Sequence, residues 1–221
     1  MTAIAQDLPA VILAGGLSSR MGGGDKCLLS LGTHTLLQQV IDRLRPQVGA
    51  MVLNANGDAS RFASYGLPVV ADGIDGYAGP LAGVLAGMDW AAQLGADYLV
   101  SVAADTPFFP LDLAAQLQAG RGSAAVALAA SLDPKRGQVR QPTFGLWPVA
   151  LRDDLRAELQ NGLRKVVIWT EKHGGTEVLF DHDQGQEPFF NVNTPEDLAR
   201  ARDMATAQQA DQPEPKEGMP S

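Results

Sequence analysis

A chain of 221 residues suits one α/β domain of ordinary size, or two small ones, and is long enough to bury roughly 70% of its unfolded surface without staples. Its formal charge of −8 argues against a protein that grips a nucleic-acid backbone, which needs a basic face. Its single cysteine, Cys27, excludes an intrachain disulfide and a cysteine-based zinc set, and no apolar run reaches the roughly 20 residues of a membrane helix.

Short apolar runs alternate with helical patterns along the chain. Pro9–Leu13 reads as a buried strand, and Thr35–Arg45 as a helix with Thr35 at its N-cap. Met51–Leu53 and Pro68–Ala71 read as the second and third strands. Pro80 suits the first position of a helix that runs to about Leu94. Tyr98–Ala103 reads as the fourth strand, Leu111–Gln118 as a helix and Ala124–Ala130 as a small-residue strand. Beyond Asp133 the pattern is less regular. A strand is predicted at Gln141–Leu146, helices at Ala150–Leu159 and Lys165–His173, and a strand at Glu177–Phe180. A last helix follows Thr194-Pro195, with Glu196 and Asp197 in its first turn, where acidic groups favour the helix dipole. Strands separated by helices predict βαβ units: an α/β, Rossmann-like three-layer fold around a mostly parallel sheet. We expect one domain over residues 1–209 and a disordered, Pro-rich tail over 210–221. The short polar start, Met1 to Pro9, carries no signal-peptide pattern, and a reducing, cytoplasmic location is expected.

Ligands of open parallel sheets bind beyond the carboxyl ends of the strands, so the residues that follow each strand are informative. The first strand is followed by Ala14-Gly15-Gly16-Leu17-Ser18-Ser19-Arg20-Met21-Gly22-Gly23-Gly24-Asp25-Lys26, the second by Asn54-Ala55-Asn56, the third by Asp72 and the fourth by Asp105-Thr106-Pro107. Turn chemistry explains any one of these, and explains all four together less well. Gly15 and Gly16 lack Cβ atoms, so backbone N–H groups there can approach phosphate oxygens. Arg20 and Lys26 add two cations, one of them bidentate. The loop suits a polyphosphate, yet it is neither a Walker A loop nor a GxGxxG dinucleotide loop; a solvated turn with incidental charges is the competing reading. Asp105 suits Mg²⁺, which takes one or two protein carboxylates plus phosphates and water; the competing reading is an N-cap or Asx-turn aspartate. Asn191 and Asn193 share one face of an extended stretch with Val192 opposite, a face able to complete a metal or phosphate site, while Thr194 is placed to cap the last helix.

Taken together, Leu13–Lys26 (LAGGLSSRMGGGDK), Leu53–Asn56 (LNAN), Gly79–Gly83 (GPLAG), Asp105–Pro107 (DTP) and Asn191–Asp197 (NVNTPED) resemble the molybdenum cofactor guanylyltransferases, in order and over about residues 8 to 205. The resemblance implies a nucleotidyltransferase that moves GMP from GTP onto Mo-molybdopterin, with Mg²⁺ as cofactor. By position it implies that Leu13, Ala14, Gly15, Gly16 and Lys26 hold GTP. Asn54 and Asp72 would line the base and ribose, and Asp105 would bind GTP and Mg²⁺. Asn191 and Asn193 would lie near the acceptor and metal, and Arg20 would supply the loop's basic group. It also implies molybdopterin-handling proteins and molybdoenzyme chaperones as partners; a monomer is expected, and charge and hydropathy leave no nucleic-acid or membrane partner expected. Gly15-Gly16 in the first loop and asparagines in the late motif favour guanine over cytosine transfer within this resemblance. Gln141-Pro142 departs from the family's His-Pro pair. Rival readings are a cytidylyl or sugar-1-phosphate nucleotidyltransferase, a non-catalytic molybdopterin-binding protein, and a dinucleotide oxidoreductase, the last weakened by the missing GxGxxG. Cys27 reads as a packed thiol, Trp90, Trp147 and Trp169 as core or core-edge, and Arg152, Asp153, Asp154, Arg156 and Glu158 as a solvated helix face.

Overall fold

The structure is a computed structural model that describes residues 8–15, 25–74, 79–180 and 187–210. Nine strands and six α-helices lie among these residues: β1 (Ala10–Leu13), β2 (Ser30–Leu31), β3 (His34–Thr35), α1 (Leu36–Leu44), β4 (Met51–Asn54), β5 (Val69–Val70), α2 (Pro80–Gln93), β6 (Tyr98–Ala103), α3 (Leu113–Gly120), β7 (Ala127–Asp133), β8 (Gly137–Pro148), α4 (Arg152–Gln160), α5 (Val166–Lys172), β9 (Thr176–Phe180) and α6 (Pro195–Ala210). Seven strands form one sheet in the order β5-β4-β1-β6-β8-β7-β9, and β2 and β3 form a separate antiparallel pair. Contacts β5–β4, β4–β1, β1–β6 and β7–β9 are parallel, while β8 runs antiparallel to both neighbours.

Period two along the strands sends alternate residues to opposite faces. On one face Ala10, Ile12, Leu53, Val100, Val102 and Phe144 pack under α1 and α3. On the other, Val11, Val52, Leu99, Leu128 and Trp147 pack under α2, α4 and α5. This is the three-layer arrangement expected from the alternation of elements. Helix α2 is buried along nearly its whole length, from Leu81 to Met88, which is what an apolar helix without a polar face requires. It starts at Gly79, held at φ 72°, with Pro80 in its first turn. It lies so close to the sheet that a Cβ on Gly87 would stand 2.7 Å from Val11 Cβ.

A third apolar cluster joins the chain's two ends. Leu31 and Leu36 pack with Phe108, Phe190, Val192, Leu198 and Ala201, and Arg202 donates to the Ser30 carbonyl at 3.0 Å from Nη2. The β2–β3 pair that receives this segment was not anticipated, because two-residue strands carry no periodicity to read.

Several boundaries differ from the sequence expectations. The strand placed at Ala124–Ala130 spans Ala127–Asp133, and the one placed at Gln141–Leu146 runs twelve residues, Gly137–Pro148. The two form a hairpin with a register shift between Leu128 and Ala129; the irregularity and the charged turn break the alternation that would mark long strands. Helix α3 begins at Leu113, leaving Leu111 64% exposed. Trp147 and Trp169 are fully buried and Trp90 is half-buried. The charges of α4 are not merely solvated: Arg156 Nη2 reaches Asp89 Oδ1 of α2 at 2.6 Å, and Lys172 of α5 bonds Asp154 (3.0 Å) and Glu158 (2.5 Å). Spacing along one helix cannot reveal partners on two others. The expected C-terminal tail lies outside the described residues from 211 onwards, and Ala210 belongs to α6.

Candidate active site

The chain enters the sheet at β1, moves outward through β4 and β5, then returns to the other side of β1 as β6. The strand order therefore reverses between β1 and β6, the point at which open α/β sheets form a ligand crevice beyond the strands' carboxyl ends. The two strand ends are tied by Ala104 N–H donating to the Leu13 carbonyl at 3.1 Å, and Ala14 N–H donates to the Asn54 carbonyl at 2.9 Å on the other side. Leu13, Ala14 and Gly15 thus stand at the crevice floor. Gly16 and Arg20 lie outside the described residues.

Lys26 opens a short 3-10 turn, Lys26–Leu28. Its Nζ lies 2.6 Å from Asp105 Oδ2, beyond β6, and donates to Asn193 Oδ1 at 2.9 Å. Three segments remote in sequence meet on one ammonium. Lys26 and Asp105 remain 17% and 24% exposed, so the pair faces the solvent of the crevice. Asp105 does not cap a helix: α3 begins at Leu113, and the Asp105 carboxylate accepts from Lys26 and from Thr106 Oγ1 (3.2 Å). Its own carbonyl accepts from Val192 N–H at 2.9 Å. Val192 is fully buried, whereas Asn191 and Asn193 are exposed, the alternation anticipated for this stretch. The capping reading of the segment also holds. Asp197 N–H donates to Thr194 Oγ1, while Asn193 and Thr194 N–H groups donate to Asp197 Oδ2. This reciprocal cap fixes α6 and the backbone of Asn193. Those backbone donors hold the Asp197 carboxyl below its ordinary value.

The β4–β5 side of the crevice is built on amides. Asn54, 3% exposed, gives its Nδ2 hydrogens to Asp72 Oδ1 (2.9 Å) and the Val70 carbonyl (3.3 Å). Asn56 Nδ2 donates to Asp72 Oδ2 at 2.8 Å, and Asn56 Oδ1 accepts from Asp72 N–H at 2.9 Å. Each Asp72 oxygen is held once and keeps capacity to accept again. Asn54 is thus a brace for Asp72, since both its amide donors are engaged inside the protein. The sequence assigns Asn56 no role of its own, although its spacing of two from Asn54 puts it on the same side of the extended chain. The GPLAG stretch also acquires a reason: a Cβ on Gly83 would collide with Asn54 Oδ1, so only glycine lets that amide seat under α2.

Cys27 is 4% exposed. Burial, with the Asp25 charge adding to it, pushes its thiol up to about 12, which makes it a packing group and no nucleophile. Gln141 donates to Ser131 Oγ at 3.1 Å across the β7–β8 hairpin. Among the described residues no group of three His, Cys, Asp or Glu side chains is arranged to hold a metal. Asp105, a single partly exposed carboxylate beside Lys26, is a donor of the kind an ion shared with a substrate's phosphates uses.

The model of the MobA-like NTP transferase domain matches residues 10–176. A molybdenum cofactor guanylyltransferase from Mesorhizobium japonicum is 48% identical over 89% of this chain and 95% of its own length. Another from Rhodopseudomonas palustris is 49% identical over 89% of this chain and 92% of its own length. In fold, the chain is similar to molybdopterin-guanine dinucleotide biosynthesis protein A from Archaeoglobus fulgidus, with a TM-score of 0.70 at 22% identity over 90% of this chain and all of that one. A nucleotidyltransferase fold with a crevice at its strand-order reversal, and such identity over nearly full length, lead to one assignment: the chain belongs to the MobA-like NTP transferase family, among the molybdenum cofactor guanylyltransferases.

Proposed function

We propose that this enzyme transfers GMP from GTP to Mo-molybdopterin, forming molybdopterin guanine dinucleotide and releasing pyrophosphate. The observation that carries the reading is the meeting of Lys26 Nζ and Asp105 at 2.6 Å beside the end of β1. One triphosphate laid across β1 reaches both. A triphosphate offers the Lys26 ammonium a second anionic partner, so the charge stays paired while Asp105 is released. The β1 end, through Leu13 to Gly15 with Gly16, supplies amides to the phosphates, Lys26 and Arg20 supply cations, and Asp72, braced by Asn54, accepts hydrogen bonds from the base or ribose. Asp105, once released by Lys26, is the carboxylate available to Mg²⁺, which when bound neutralises charge on the phosphate oxygens. Asn191 and Asn193 lie on the acceptor side.

An oxygen of the acceptor's phosphate forms a bond to the α-phosphorus. The bond from that phosphorus to the bridging oxygen breaks, and its electron pair leaves with pyrophosphate. A phosphate monoester has its second pKa at about 6, so the attacking oxygen is ionised at neutral pH and no general base is assigned. Catalysis rests on positioning and on cations aimed at the leaving pyrophosphate. The protein acts as a monomer in the cytoplasm, delivering product to molybdopterin-handling proteins and molybdoenzyme chaperones.

Incubation with Mg-GTP and Mo-molybdopterin, followed by mass analysis of the released cofactor, tests the reading. Guanine dinucleotide is expected, and a cytosine product from Mg-CTP under the same conditions would overturn it. Asp105→Ala is expected to lower turnover by about 10²–10³ with the thermal midpoint retained; near wild-type pyrophosphate release would refute the role given to Asp105.

A further inference from the structure

Arg61 has no part in the site described so far. It sits in a 3-10 turn, Ala59–Tyr65, outside the regular helices. All three guanidinium nitrogens are nevertheless engaged by backbone and side chain. Nη1 donates to the Asp58 carbonyl and Nη2 to the Asn56 carbonyl, both at 2.6 Å. Nε, sealed from water, faces Asp25 Oδ2 at 2.5 Å as an ion pair whose N–H is not aligned for a hydrogen bond. The guanidinium carbon lies 4.7 Å from the centre of the Phe62 ring, itself a core side chain. Gly57, at φ 82°, lets the chain curl over the group: a Cβ there would come within 3.3 Å of Nη1.

The two ends of this grip are the two halves of the crevice. Asp25 is the chain neighbour of Lys26. Asn56 is the residue whose side chain clasps Asp72 from both sides. An uncompensated carboxylate at Asp25 would repel a triphosphate and compete for the Lys26 ammonium. We propose that Arg61 is a positioning residue of the nucleotide site: it cancels the Asp25 charge beside Lys26 while pinning the Asn56 carbonyl, so that the phosphate side and the Asp72 side keep one spacing. The proposal rests on the GTP-binding reading above. Lysine would keep the charge but could not hold two carbonyls and a carboxylate from one planar fork.

The test is the Kd of Mg-GTP by titration calorimetry, which needs no acceptor, on wild type, Arg61→Ala, Arg61→Lys, Asp25→Asn and the double variant Arg61→Ala/Asp25→Asn, each with its thermal midpoint. Stranding a partly buried carboxylate is expected to weaken Arg61→Ala about tenfold, with Arg61→Lys between it and wild type. The double variant is expected to regain affinity to within about threefold of Asp25→Asn alone, an improvement on removing a second side chain that a purely structural role does not produce. If Arg61→Ala fails to fold, the same comparison is made with Arg61→Lys and Arg61→Lys/Asp25→Asn. A wild type that binds GTP alongside an Arg61→Ala that binds equally well would overturn the proposal alone, as would a double variant no tighter than Arg61→Ala. A wild type that does not bind GTP would overturn the functional reading and this proposal together.

Discussion

Gly83→Ala tests packing and binding together in one substitution. The added Cβ would overlap Asn54 Oδ1 and stand 2.9 Å from Asn54 Cγ and 2.8 Å from Leu13 Cδ2. Neither neighbour can move freely. Leu13 is in β1, paired on both sides, and the Asn54 amide is bonded to Val70 and Asp72. Forcing a methyl into such a place costs about 1–3 kcal/mol in strain, and breaking the Asn54–Asp72 bond leaves a buried polar group unpaired at a further roughly 1–3 kcal/mol. The sum, about 2–5 kcal/mol after some relaxation, corresponds to a thermal midpoint lowered by roughly 5–20 °C in a domain of this size. Because Asp72 loses its brace, GTP affinity should fall as well. Gly87→Ala is the control: its Cβ would strike Val11 and Leu99, away from the crevice, so it should lower the midpoint similarly and leave the Kd for Mg-GTP unchanged. Scanning calorimetry with GTP titration reads both. A Gly83→Ala protein melting within about 2 °C of wild type and binding GTP as tightly would refute the claim that glycine is required for the Asn54 seat.

Two further outcomes follow from titrating groups. The Asp197 carboxyl is held below its ordinary value of 3.8, first by the Asn193 N–H and then, against a burial cost, by the Thr194 donors. Its contribution is therefore present above about pH 4 and lost as pH falls through the lower folded value. Asp197→Asn should destabilise by about 1 kcal/mol near neutrality, with the difference in melting temperature from wild type shrinking towards pH 3; a difference independent of pH would contradict the cap. With its thiol pushed up to about 12, Cys27 is ionised to only about one part in ten thousand at pH 8. An aromatic disulfide reagent should titrate one thiol per chain in denaturant and almost none in the folded protein, and rapid labelling of the native enzyme would refute its burial.

The sequence reveals the parts of this fold where one physical cause dominates. Ala10–Leu13 and Tyr98–Ala103 are strands buried on both faces, and their apolar runs, interrupted only by Ser101, say so. Once those strands are parallel, topology alone delivers Lys26, Asn54, Asp72 and Asp105 to one edge, which is why scattered residues were readable as one site. What could not be read depends on contacts between elements with no shared period. Arg61 lies in an irregular turn, and its partners Asp25, Asn56 and Asp58 are fixed by how that turn lies against β4. The β7–β8 hairpin was cut short because its register shift interrupts alternation. Asn54 was read as a ligand-facing side chain because sequence gives the strand end but not whether Gly83 stands over it.

The last described helix has a consequence for how the enzyme comes into being. Val192 secures the Asp105 backbone and Asn193 reaches Lys26 across 167 positions, so this corner of the crevice is completed by a segment synthesised long after Lys26. The sheet and its first helices can assemble beforehand, but Asn193 cannot join the Lys26–Asp105 pair until α6 has docked on β2. Pairings so far apart in the chain form late, so this corner of the crevice closes after the sheet that floors it.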